Sequence, residues 1–166
     1  MNLGGGPLHR TLLRQSSPGT STYTGSKDSS GSIFPGEKKK VIMVPESPLV
    51  LCVDDDLVGL QVRKLLLERS GYRVLTALDG ALGLDIFARE AVEAVVLDYS
   101  MPGMDGGEVA MRMRQCKPQV PILLLSAYVG LSAEITSLVD LYMTKGEGPD
   151  MLLQKLSDLL QIVPAS

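Results

Sequence analysis

Four carboxylates stand where metal-assisted phosphate chemistry would need them. Asp54, Asp55 and Asp56 directly follow the apolar run Leu49–Val53, and Asp98 follows a second run, Ala94–Leu97. Two like charges about 5 Å apart repel by roughly 3 kcal/mol at an effective dielectric of 20. Asp54, Asp55 and Asp98 brought together therefore call for a cation. A hard divalent ion fits, and Mg²⁺ commonly takes one or two carboxylates with waters and phosphate oxygens. Asp56, just ahead of a helical pattern, reads instead as an N-cap. Ser126 closes the run Leu123–Leu125, and its hydroxyl can donate to a phosphoryl oxygen. Lys145 follows Leu141–Met143 and can neutralise the carboxylates and then a phosphoryl group.

Other chemistries are poorly served. The single histidine, His9, lies near the N-terminus, so Ser/His and Cys/His nucleophile schemes lack their base in the folded part. Cys52 and Cys116 match no metal spacing and read as free thiols in a reducing, cytoplasmic setting. A net charge of −3 removes the electrostatic footprint of a nucleic-acid binder. No apolar run approaches the roughly 20 residues that span a bilayer, so no membrane partner is expected.

The elements that must position these residues can be read from the pattern. Residues 1–47 are rich in Gly, Ser and Pro, hold no period, and read as a flexible leader. Lys38-Lys39-Lys40 within it reads as a solvated charge run. Residues 48–166 form the domain. Strands are expected at 49–53, 73–76, 94–97, 121–125 and 141–143. Helices are expected at 57–70, 81–91, 108–116, 133–139 and 151–162. The first shows Leu57, Leu60, Val62, Leu65 and Leu66 at helical spacing, with Gly71 as its stop. Strands alternating with helices imply an α/β fold, a doubly wound five-stranded parallel sheet. The flavodoxin-like order 2-1-3-4-5 places the switch point at the carboxyl ends of the first and third strands, where ligands bind. Those are the ends that carry the acids.

With these residues in view, the chain from about Pro48 to Ile162 resembles the receiver domain of two-component response regulators. The resemblance rests on Val53-Asp54-Asp55-Asp56, on Asp98-Tyr99-Ser100-Met101-Pro102-Gly103-Met104-Asp105-Gly106, on Leu125-Ser126-Ala127 and on Lys145. It implies that Asp98 is the phospho-acceptor. It implies that Asp54, Asp55 and Asp98 hold Mg²⁺ together with the backbone carbonyl of Ser100. Ser126 and Tyr142 then correspond to the switch hydroxyl and switch aromatic, and Lys145 to the family's lysine. The implied partners are a sensor histidine kinase or phosphotransfer protein as donor and a downstream protein as target. A phosphorylation-dependent dimer is one form such contact can take. The domain would act as a switch that catalyses only its own phosphorylation and dephosphorylation.

Three features depart from the family pattern. Gly146 stands where proline commonly follows the lysine, which puts the usual cis peptide in question. The stretch from Ser126 to Lys145 is short, so a reduced or irregular fourth helix is expected. No output domain is expected after Ile162, so the signal would leave by protein–protein contact. Two other readings compete. Asp54-Asp55-Asp56 also resembles the opening motif of haloacid-dehalogenase-type phosphatases, with Asp54 as nucleophile and Asp56 as general acid/base. A receiver-like interaction module that never turns over phosphate is the other.

Overall fold

The computed structural model describes residues 46–162. The expected leader lies outside them except for Glu46 and Ser47. The chain runs β1 (Leu49–Val53), α1 (Leu57–Arg69), β2 (Arg73–Ala77), α2 (Gly80–Arg89), β3 (Ala94–Asp98), α3 (Gly106–Cys116), β4 (Ile122–Ser126), α4 (Ala133–Thr136), β5 (Leu141–Thr144) and α5 (Pro149–Ile162). A 3₁₀ turn at Lys145–Glu147 joins β5 to α5. The strands form one five-stranded sheet in the order β2-β1-β3-β4-β5, as the alternation of elements predicts, and every pairing is parallel.

Strands β1, β3 and β4 are buried along their whole length because helices cover both faces. This is why they read as unbroken apolar runs rather than alternating ones. One core layer gathers Leu51, Val53, Phe87, Val95, Leu97 and Met113 under α2 and α3. The other gathers Val50, Cys52, Leu67, Val96, Leu123 and Leu156 under α1 and α5. Burial pushes the Cys52 thiol up to about 12, so it stays protonated as a small core hydrophobe.

Helix α1 forms where the spacing predicts it. Its buried residues are Leu60 and Leu67, whereas Leu57, Val62 and Leu65 are exposed. Apolar and polar residues are mixed around the helix, so spacing alone leaves open which stripe faces the sheet. Helix α4 is reduced, as the short stretch from Ser126 to Lys145 implies, with four residues in place of the seven from Ala133 to Val139. Leu138 and Val139 leave the helix to pack against the core. Among the described residues no helix is long and apolar enough to cross a membrane.

Candidate functional site

The carboxyl ends of β1 and β3 are adjacent, because Val53 pairs with Leu97. Asp54 and Asp98 therefore emerge side by side. Both are 1% exposed, and Ser126 at the end of β4 is fully buried. Asp55 is exposed beside them. One carboxylate oxygen from each of Asp54, Asp55 and Asp98 lies within 4.8 Å of the others. Asp56 caps α1 by accepting the Val58 N–H at 3.1 Å, as the sequence predicts. It is thereby turned to backbone rather than to chemistry.

Each strand end is fixed by local chemistry. Asp105 caps α3, accepting the Glu108 N–H at 2.9 Å. The helix begins two residues before Glu108, at Gly106, whose N–H donates to the Tyr99 carbonyl at 2.8 Å. Gly103 turns the preceding loop with φ +81°, a backbone region that glycine alone enters without cost. The tight return from β3 to α3 is thus written in Met101–Gly106.

Lys145 reaches across the site. Its Nζ lies 3.0 Å from Asp98 Oδ1 and 3.4 Å from Asp54 Oδ2. Lys145 is thus the cationic partner of the buried Asp98 carboxylate. Burial pushes the Asp98 carboxyl above the usual range, and Asp54 adds to the effect. Lys145 and a backbone contact from Ser100 oppose it. Burial alone would lower the Lys145 ammonium, but Asp98 and Asp54 outweigh that and raise it.

The lysine is held without the proline that commonly follows it. No cis peptide occurs among the described residues, the Lys145–Gly146 link included. A capping box takes over instead. Glu147 accepts the Thr144 N–H at 2.8 Å and pairs with Lys155 at 3.5 Å. The Thr144 N–H and then Lys155 hold the Glu147 carboxyl below its usual range.

Ser126 Oγ accepts the Tyr128 N–H at 2.9 Å, tying the end of β4 to the following loop. Tyr128 and Val129 in that loop are exposed, and so is Tyr142 on β5. One functional neighbour has no signal in any motif. Arg63, on the inner side of α1, pairs with Asp54 Oδ2 at 3.0 Å. Its spacing from Asp54, nine residues, is the one clue the sequence holds.

The residues fit a hard divalent cation. The donors are all oxygens, they converge, and the buried Asp98 carboxylate is met by the single ammonium of Lys145. The same geometry is unsuited to attack by Asp54. Its Oδ1 accepts the Asp56 N–H at 2.9 Å, and its Oδ2 faces both Arg63 and Lys145. With Asp56 capping α1, the phosphatase assignment of nucleophile and acid/base loses both residues.

Comparison with known proteins bears on the family and the fold. Residues 50–157 match the model of the response regulator receiver domain. The chain is 34% identical over 121 residues to the transcriptional regulatory protein GlrR of Escherichia coli, covering 70% of this chain and 27% of GlrR. It is 36% identical over 115 residues to the response regulator MprA of a Mycobacterium species, covering 68% of this chain and 50% of MprA. The chain thus spans between about a quarter and half of these relatives' length. Among solved structures, the response regulator TrrA of Thermotoga maritima in complex with Mg²⁺-BeF superposes with a TM-score of 0.65 at 34% identity. That match covers 68% of this chain and 99% of TrrA. The chemotaxis protein CheY4 of Vibrio cholerae gives 0.65 at 28% identity, covering 69% of this chain and 99% of CheY4.

Proposed function

Because the chain belongs to the response regulator receiver family, we propose that it is a Mg²⁺-dependent switch in which Asp98 accepts a phosphoryl group from a phosphohistidine. The donor is a sensor histidine kinase or a phosphotransfer protein, and the setting is the cytoplasm. The observation that carries this reading is the placement of Asp98: a buried carboxylate at the end of β3, with an oxygen within 4.8 Å of oxygens of Asp54 and Asp55 and 3.0 Å from the Lys145 ammonium. Its two oxygens can divide the work, one toward the cation and the other toward phosphorus.

In the transfer, an Asp98 carboxylate oxygen forms a bond to phosphorus as the bond from phosphorus to the imidazole nitrogen breaks. The imidazole leaves with the electron pair. Asp55, Asp98 and the Ser100 carbonyl, with the charge of Asp54 beside them, would hold Mg²⁺, which when bound would offset charge on the phosphoryl oxygens. Lys145 supplies the second offset from the opposite flank. There is little covalent work for the protein beyond positioning and electrostatics. Hydrolysis of the resulting acyl phosphate returns the carboxylate.

Two hydroxyl-bearing residues carry the state outward. Ser126 turns toward the phosphoryl group, and its hydroxyl donates there. This changes the setting of the Tyr128 N–H that it accepts at rest. Tyr142 follows by moving its exposed ring inward. The outcome is a biased surface around the 127–131 loop, β5 and α5, read by a downstream protein or by a second copy. Phosphorylation inverts a 1:99 equilibrium only if the active state is favoured about 10⁴-fold.

The test is intact mass of the full chain after incubation with phosphoramidate, with and without Mg²⁺, for the parent and Asp98→Asn. One phosphoryl group should appear on the parent, at Asp98, and only with Mg²⁺. Uptake by the Asn variant at the parental rate, or by the parent in excess chelator, would falsify the assignment.

A further inference from the structure

Arg63 is the unexplained charge of the site. It projects from α1 with a side chain only 11% exposed, and its Nη2 pairs with Asp54 Oδ2 at 3.0 Å. Its Nη1 is buried with no hydrogen-bond partner. The guanidinium borders a cavity of about 300 Å³, whose wall it shares with Lys145 and with Val62, Leu66, Met143 and Leu152. An arginine so placed is costly to bury unless the carboxylate beside it returns the cost.

We propose that Arg63 is a resident counter-cation of the acid cluster: it claims Asp54 and thereby sets how tightly the site binds Mg²⁺. This rests on the Mg²⁺ site proposed above. The argument begins with the oxygens of Asp54. Oδ1 is engaged by the Asp56 N–H at 2.9 Å, and Oδ2 by Arg63 at 3.0 Å and Lys145 at 3.4 Å. Asp55 is exposed, with no ion pair among the described residues, and Asp98 is ion-paired with Lys145 alone, whereas Asp54 meets both Arg63 and Lys145. Direct ligation therefore falls to Asp55 and Asp98, while Asp54 contributes mainly its charge, already partly neutralised.

The balance of charge gives the direction. Three carboxylates face two cations, Arg63 and Lys145, so the cluster carries one net negative charge. Without Arg63 it would carry two, and a divalent ion would bind more tightly. A unit charge about 6 Å from a divalent ion changes affinity about tenfold even with water-like screening. Arg63 also divides the work with Lys145. When Lys145 engages a phosphoryl group, Asp54 keeps a cationic partner, so the lysine is free to follow the phosphoryl oxygens. The planar guanidinium suits this post because it cannot lose its proton and remains hydrogen-bonded while buried.

Titration calorimetry of the full chain with MgCl₂ tests this directly, with no phosphodonor present. Arg63→Met removes the charge and keeps an apolar side chain against the cavity. Arg63→Gln removes the charge and keeps a donor for Asp54. Arg63→Lys keeps the charge. Both neutral variants should bind Mg²⁺ about tenfold more tightly than the parent, and the lysine variant should stay within about threefold of it. Circular dichroism identifies which variants fold, and either folded neutral variant decides the matter. Equal or weaker Mg²⁺ binding by a folded neutral variant, with the parent binding normally, overturns the role of Arg63 alone. Absence of Mg²⁺ binding by the parent and the variants overturns both this role and the Mg²⁺ site. Tightening in the lysine variant equal to that in the neutral ones shows a packing effect and also overturns it.

Discussion

Gly106 lies so close beneath Asp98 that a Cβ placed on it would sit 2.4 Å from the Asp98 carbonyl oxygen and 2.7 Å from the Tyr99 Cα. Both atoms are backbone, so neither can swing aside. The first residue of α3 is thereby pressed against the last residue of β3, and the Gly106 N–H to Tyr99 carbonyl bond closes the return.

Gly106→Ala should therefore be costly at a helix position where alanine is ordinarily preferred. The β3 end must shift to admit the methyl group, and overpacking of this kind costs about 1–3 kcal/mol. Urea unfolding should show that loss with an unchanged slope. The displaced Asp98 should also take up phosphoryl groups more slowly. A stability gain, as expected for a helix whose glycine is merely unfavourable, would refute the contact.

Asp98→Asn should stabilise the fold near neutral pH. Burial, then Asp54, raises the Asp98 carboxyl in the folded state. A raised acid contributes stability that is fully present below its unfolded pKa and is lost as pH rises through the folded one. The parent therefore carries the penalty of a buried carboxylate at pH 7 and is relieved of it in acid. The gain from asparagine should be largest at pH 7 and shrink toward the unfolded carboxylate range, about pH 4. Paired denaturation curves at several pH values give the answer. A gain independent of pH would mean that the charge of Asp98 is not its source.

Much of the fold that carries this site is legible in the sequence. The inner strands are buried on both faces, so their apolar runs are continuous, and strand ends are off by one residue at most. Pro121 fell inside the expected fourth strand but lies outside it: it has no N–H to give, though its carbonyl still accepts from Val95 at 2.9 Å. Helix starts were less legible. The Gly106-Gly107 opening of α3 resembles a loop by propensity; Gly106 is required by its close approach to the end of β3, and Gly107 by the Ile135 side chain packed over it. Arg63 was hidden for a different reason. By residue type an arginine on a helix is assigned to solvent, and what draws this one inward is the Asp54 carboxylate at the end of β1.

Arg114 should be the residue on which the shortened α4 region depends. Its guanidinium donates to the carbonyls of Leu138 at 2.8 Å, Pro118 at 2.9 Å and Val120 at 2.8 Å, and it pairs with Asp140. Asp140 in turn accepts the Ile122 N–H at 2.7 Å, at the start of β4. A four-residue helix gains little from its own hydrogen bonds, so this clamp takes over its placement. Arg114→Ala should destabilise by about 2–4 kcal/mol, since carbonyls in and beside the core lose a charged donor. Amide exchange should rise across residues 131–140 more than elsewhere. A uniform rise across the domain would argue against a local clamp.

Lys145→Ala should separate metal capture from switching. In the resting state the ammonium lies between Asp98 and Asp54, 3.0 and 3.4 Å away. Asp98 and Asp54 raise it against the opposing effect of burial. By the same linkage its contribution to stability is complete below the unfolded lysine pKa and disappears as pH climbs through the folded one. The side chain is 38% exposed, which screens the pair, so at neutral pH the alanine variant should remain folded. Losing a cation from the cluster should leave Mg²⁺ affinity equal to the parent's or higher. Phosphoryl transfer is another matter, because a positioned charge on the transferring group is lost. Uptake from phosphoramidate should slow by about 10²-fold. Once phosphorylated, the variant should show little change in amide exchange at residues 127–131 and along β5, where the parent responds. Parental exchange changes in the phosphorylated alanine variant would assign the coupling to Ser126 and Tyr142 alone.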